Sequence, residues 1–243
     1  MEQGGVGHTA AAIARLEVVL RLARSADDAA LHSLALSTHA SLVRQAGRHR
    51  AAATLDGRAL LLAGIGRTGQ WHRAATLDAV VGLAADNLGR YRFDAARRLL
   101  DRARTLADLE LADDADWFGG RRPRLRTEWV SAELAMYSGD APGARKHSDA
   151  ALHLSRGEGT PERHRVKTLL IAAAADATAG DPRSARARAG EVTARARAAG
   201  LLPLEWASYA LRQGLDPDDP DLGRQLLRTR TELIRRGVPF TDL

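Results

Sequence analysis

The sharpest short motif in this 243-residue chain is Gly64-Ile65-Gly66-Arg67-Thr68-Gly69, a complete G-x-G-x-x-G. Such a run binds a dinucleotide when it follows a strand and opens a helix, because the pyrophosphate then meets helix N–H groups. Here Ala59-Leu60-Leu61-Leu62-Ala63 precedes it with a helical pattern and no β-α-β unit follows, so a connector between helices fits better. The acidic run Asp216-Pro217-Asp218-Asp219-Pro220-Asp221 lacks the glycine and glutamate of a calcium loop. Capping and a sharp bend explain it. His8, His32, His39, His49, His72, His147, His153 and His164 form no H-E-x-x-H pair and no other convincing ligand set. No G-x-S-x-G elbow supports a hydrolytic triad, and without cysteine there is neither a thiolate zinc site nor a thiol nucleophile. The expectation is a non-enzymatic protein with no cofactor and no metal.

More informative is Asp116-Trp117-Phe118-Gly119-Gly120-Arg121-Arg122-Pro123-Arg124, two large aromatics beside arginines. Trp and Arg dominate binding hot spots because both bury much surface and keep polar reach. Aromatics interleaved with Arg also suit stacking on single-stranded bases. The bland alternative is a long loop whose Trp117 and Phe118 tuck into a helical seam.

The elements that must position these residues are helices. Alanine, at 48 residues, favours helix and is poor in strands, and no run of alternating β-branched residues appears. Hydrophobic residues at 45% and charged residues at 27% describe a globular chain rather than a disordered one. About eleven helix-period segments run from Thr9 onward, behind a loose glycine-containing tail at residues 1–8. The longest uncharged apolar stretch, Thr168 to Ala175, falls far short of the ~20 residues a membrane span needs. The first residues lack the pattern of an export signal, so a cytoplasmic, membrane-free protein is expected. The net charge of +6 rests on arginine, with Lys146 and Lys167 the only lysines. GC-rich codon usage accounts for that bias, although a positive field also draws anionic partners.

A repeat underlies the helices. Ala40, Ala52 and Ala59 are spaced twelve then seven residues apart, and so are Ala84, Ala96 and Ala103, then Ala132, Ala144 and Ala151, then Ala173, Ala185 and Val192. Gly47, Gly139 and Gly180 lie five residues before the middle alanine, where the second copy has Tyr91. Small residues seven apart share one helix face and let two axes approach to about 8 Å. Asp140 and Asp181 are placed to cap the second helices, with Pro182 at a first position and Pro142 just inside. Leu62, Leu106 and Leu154 would pack onto the next pair.

This pattern resembles the tetratricopeptide repeat, in the divergent form found in bacterial regulators, over roughly residues 28–200. Successive copies are 44, 48 and 41 residues apart here, against about 34 in the family, and the family's tryptophan, tyrosine and closing proline are mostly absent. The resemblance implies an all-α fold of antiparallel hairpins (about 28–63, 70–108, 125–155 and 162–199) stacked into a short right-handed solenoid, with residues 203–243 as a capping hairpin of the same 9–200 domain. It also implies that first helices line a concave face and present Arg126, Trp129, Glu133, Tyr137, Arg163, Arg165 and Lys167 to a guest. An acidic peptide or C-terminal carboxylate fits that set. The expected function is a scaffold for a protein or peptide partner. Two alternatives stay open: a peptide- or ligand-sensing module in transcription or signalling, and single-stranded nucleic-acid binding through the Trp117–Arg126 segment. There is no recognisable helix-turn-helix, so DNA contact in a regulator would come from a partner. A homodimer through an exposed end face is also left open.

Overall fold

The computed structural model describes residues 2–64, 69–110 and 117–240, and among these it is all-α with no strand. Its helices are α1 (Glu2–Gly5), α2 (Thr9–Ser25), α3 (Ala29–Gln45), α4 (His49–Ala63), α5 (Gln70–Leu88) and α6 (Phe93–Glu110), then α7 (Arg122–Tyr137), α8 (Ala141–Ser155), α9 (Glu162–Thr178), α10 (Pro182–Ala198), α11 (Leu202–Leu215) and α12 (Pro220–Arg235). A single π-helical turn, Trp117–Arg121, leads directly into α7. The helix beyond the expected eleven is α1, one turn within the segment whose composition suggests a loose tail. No described helix is long and apolar enough to cross a membrane.

Two compact units result, one of Ala10–Val130 with Pro239–Leu243, the other of Met1–Thr9 with Ser131–Val238. In the first, α3, α4, α5 and α6 pack in chain order and α3 also touches α5. In the second, α8 through α12 pack in chain order and α9 also touches α11. The repeated small residues explain both stacks. Every position in the four alanine sets, from Ala40 to Val192, is fully buried. Each middle alanine is the fourth residue of its helix, so a methyl group meets the partner helix just after every turn. Leu62 packs against the cluster of Leu36, Ala59 and Ala79, which joins α3 and α4 to α5.

One turn recurs throughout. The residue two before α4, α6, α8 and α10 is left-handed, with φ of 80° at Gly47, 58° at Tyr91, 72° at Gly139 and 74° at Gly180. The amide that follows it bonds back five residues, as from Arg48 to Val43 and from Arg92 to Asn87. That pair of features is the Schellman ending, in which glycine avoids a Cβ clash. Asp28, Asp140, Asp181 and Asp219 then cap α3, α8, α10 and α12 through their side chains. The acidic bend at Asp216–Asp221 is thereby accounted for: Asp219 caps α12 and Asp216 accepts from Arg186 at 2.9 Å. Gly64 follows α4 and Gly69 precedes α5; the intervening residues of that glycine motif lie outside the described ones.

Tyr91 is the exception among these turns. A left-handed residue carrying a Cβ costs about 1–2 kcal/mol, partly balanced by the entropy that glycine restores to the unfolded chain. Tyr91 is 75% exposed, and its ring meets the edge of Phe93 at 6.3 Å. Tyr91→Gly is therefore expected to stabilise the fold by about 0.5–1 kcal/mol, raising Tm by a few degrees. Thermal melts of the variant against Gly47→Ala, which should move the opposite way, check this. A lowered Tm for Tyr91→Gly would refute the strain.

Candidate functional site

The unit of residues 10–130 holds a chain of buried charges. Asp78, Gly82 and Asp86 recur every four residues and so share one face of α5. His49 and Asp56 are seven apart on the antiparallel α4, and they meet Gly89 and Gly82 respectively. A Cβ at Gly82 would overlap the Asp56 carboxylate, and one at Gly89 would overlap the His49 ring. The two glycines thus open α5 to polar side chains from α4.

Arg44, from α3, fills the remaining side. Its Nε donates to Asp86 Oδ1 at 2.6 Å and its Nη2 donates to Asp56 Oδ2. Both carboxylates are fully buried, while Asp56 Oδ1 and Asp86 Oδ2 accept no hydrogen bond among the described residues. One guanidinium therefore serves two carboxylates. Burial pushes Asp56 up to about 7; Arg44 opposes this, the neighbouring Asp86 adds to it, and Ser37 and Arg126 pull weakly downward.

Asp78 is the better-compensated member. Arg122 Nη2 donates to its Oδ2 at 2.6 Å, and Arg126 Nη1 donates to its Oδ1. The two arginines are four apart on α7 and close on the carboxylate together. Burial by itself would raise Asp78, but the charges and hydrogen bonds of Arg122 and Arg126 outweigh it and hold the carboxyl below its ordinary range.

This buried pair braces an exposed surface. The Arg122 guanidinium lies 6.0 Å over Phe118, and Arg121 lies 5.8 Å over Trp117. Phe118 meets Trp71, the second residue of α5, at 6.4 Å with the rings tilted by 48°. Trp71 is 52% exposed and Phe118 46%, so the two adjoining rings share one exposed patch. The π turn that carries Trp117 and Phe118 packs on α5, and such irregular turns frequently mark functional positions.

The structure thus brings Trp117, Arg121, Arg122 and Arg126 to one place, with Asp78 as the hub and Arg124 half-buried beside them. Arg122 and Trp129 are turned inward, and Arg126 spends its charge on Asp78. They are internal braces in α7 rather than groups presented to a guest. Asp116 lies outside the described residues. Glu133, Tyr137, Arg163, Arg165 and Lys167 belong to the other unit: Glu133 and the three cations are half-buried, and Tyr137 is 60% exposed. Arg163 packs against Gly5, and Glu162 beside it binds Arg195 at 2.8 Å.

Sequence reasoning passes over Asp56, Asp78, Asp86, Arg44 and Trp71. The available signal was aspartate inside otherwise apolar stretches, Leu77-Asp78-Ala79-Val80-Val81 and Ala84-Ala85-Asp86, at four-residue intervals around Gly82. No protein-family model matches the chain, and no curated protein matches it.

Proposed function

We propose that this chain is a non-enzymatic helical-repeat scaffold, of tetratricopeptide-like construction, that captures a protein partner through the surface of Trp71, Trp117, Phe118 and Arg121. The observation that carries this reading is the half-exposed Trp71–Phe118 pair, held in place from beneath by the buried Arg122–Asp78 ion pair. A rigid aromatic anchor loses little entropy on binding, which is what a hot spot requires. Arg121, at the end of the π turn, adds reach toward a carboxylate, so an acidic peptide segment with a large apolar side chain fits the surface. Single-stranded nucleic acid fits it less well. Arg121 covers one face of Trp117, and the tilt between Trp71 and Phe118 does not form parallel platforms for stacked bases.

The test is a partner pull-down from native cytosol followed by titration of the captured protein, and of acidic peptides derived from it, against wild type, Trp71→Ala and Arg121→Glu. Each substitution should weaken binding tenfold or more, about 1.4 kcal/mol, with unchanged helicity by circular dichroism. Unchanged affinity in both variants removes this surface from the function. Binding of bare oligonucleotide that collapses steeply with added salt would favour the nucleic-acid reading.

A further inference from the structure

The left-handed turn position is glycine before α4, α8 and α10, and Tyr91 before α6. In the unit of residues 131–238 the next residue is Asp140 or Asp181, whose carboxylate caps α8 or α10. In the unit of residues 10–130 it is Arg48 or Arg92. A guanidinium accepts no hydrogen bond, and Arg48 accordingly gives α4 no side-chain cap. Both departures from the repeat give up stability, one through a Cβ on a strained backbone and one through a lost cap. They also share one edge. A Cβ at Gly89 would overlap the His49 ring, so the α3–α4 and α5–α6 turns abut. Arg48, Arg50 and Arg92 are exposed there and Arg90 is half-buried. None of these four guanidiniums bonds to a described residue, whereas Arg186, Arg195 and Arg235 each hold a carboxylate. Asp94, two residues beyond Arg92, is taken by Arg97 at 3.1 Å, and Asp86 lies buried against Arg44.

We propose that this edge binds single-stranded nucleic acid, with the four guanidiniums on phosphates and the Tyr91 ring stacked on a base. Arginine suits phosphate because its planar fork donates two parallel bonds. Among the described residues of the two turns, Tyr91 is the one large apolar side chain that is exposed. A single flat ring set among cations matches an open base on a charged backbone. An acidic peptide satisfies the charges but gains nothing particular from the ring. Stacking also gives the strained tyrosine a reason to stand where the other three turns have glycine. Local rules broken together at one place mark a functional position. Trp71 opens α5 and Arg90 follows its end, about 28 Å away along the helix. The edge is thus separate from the aromatic surface and does not rest on the partner-capture reading.

The probe is a labelled oligothymidylate of about 12 nucleotides, titrated with the full chain by fluorescence anisotropy. Its affinity should fall between about 50 and 200 mM salt with a log–log slope near −3, about 0.7 for each of four phosphates. Arg48→Asp and Arg92→Asp restore the cap of the other turns, so each should weaken binding at least about tenfold while Tm holds or rises. Tyr91→Gly should weaken binding at least about fivefold at an unchanged salt slope, because stacking is not ionic. That variant is also the one expected to melt higher, which separates lost binding from lost fold. Tyr91→Phe and Trp71→Ala should both bind as wild type does. Absence of binding at about 50 mM salt overturns the proposal, as does wild-type affinity in Tyr91→Gly. Displacement of the strand by oligoglutamate of equal length, as readily as by unlabelled strand, would give the edge to an acidic peptide instead. Loss of binding in Trp71→Ala with the arginine variants intact would move the strand to the aromatic surface.

Discussion

Arg44→Met should lower the free energy of unfolding by about 3–5 kcal/mol, the usual cost of leaving buried charge uncompensated. The substitution keeps a chain of similar length, so the loss is electrostatic and not a cavity. What remains is Asp56 and Asp86, both fully buried and stripped of the guanidinium that bonds to each; Asp56, already held up at about 7, then keeps its proton, and Asp86 is left with only His49, 4.0 Å away. Against a typical total of 5–15 kcal/mol, this brings the unit of residues 10–130 close to its unfolding threshold. Urea denaturation at pH 7 measures the loss. The diagnostic is repair: Asp56→Asn and Asp86→Asn added to Arg44→Met remove the orphaned charges and should restore more than half of it. If Arg44→Met costs less than about 1 kcal/mol, the cluster is wetter than its geometry indicates, because exposed pairs are worth no more than that. Failure of the double asparagine repair would show that Arg44 acts through packing of its stem instead.

The contrast between what the residues announce and what they conceal follows from the range of the forces involved. Ala52, Ala96, Ala144 and Ala185 are legible because a small residue beside a turn glycine is a local pattern, and burial of a methyl group needs no particular partner. The aspartate caps are legible for the same reason, since Asp181 reaches only as far as the Ser184 amide at 3.0 Å. Asp78 is another matter. Its cations come from Arg122 and Arg126, 44 and 48 residues later in the chain, and Arg44 meets Asp86 across 42 residues. Nothing local distinguishes an arginine that will meet an internal aspartate from one that faces a partner, so Arg122 and Arg126 read as surface. Gly5 and Gly7 mislead in the opposite direction. Glycine has no hydrophobic periodicity to detect, yet here its missing Cβ allows close approach to Arg163 and Leu233.

Two buried aspartates should pull the pH dependence of stability in opposite directions. Asp56 has a folded value of about 7 against an ordinary 3.8, so the folded state holds its proton more tightly than the unfolded chain does. Its contribution is therefore fully present below about pH 4 and is lost as pH rises through about 7, a decline of up to roughly 4 kcal/mol for that difference. The groups that set it are Arg44 and Ser37 from α3, Asp86 from α5 and Arg126 from α7. Asp78, held low by Arg122 and Arg126, works the other way. Its contribution is present above its ordinary value and is lost as pH falls through the depressed one. Stability should accordingly be greatest on the mildly acidic side and decline from pH 5 to pH 8. Asp56→Asn keeps an acceptor for Arg44 and has no proton to lose, so its curve should no longer decline over that interval and should lie above wild type at pH 8. Burial holds His32 and His39 below their ordinary value, which by itself lifts stability as pH rises through that range. Asp78→Asn should instead be destabilised throughout the neutral range, since it leaves two arginines facing a neutral amide. Chemical denaturation of the three proteins from pH 4 to pH 8 separates these outcomes. Parallel curves for wild type and Asp56→Asn would mean that Asp56 is ionised at neutral pH, with Arg44 fully compensating its burial.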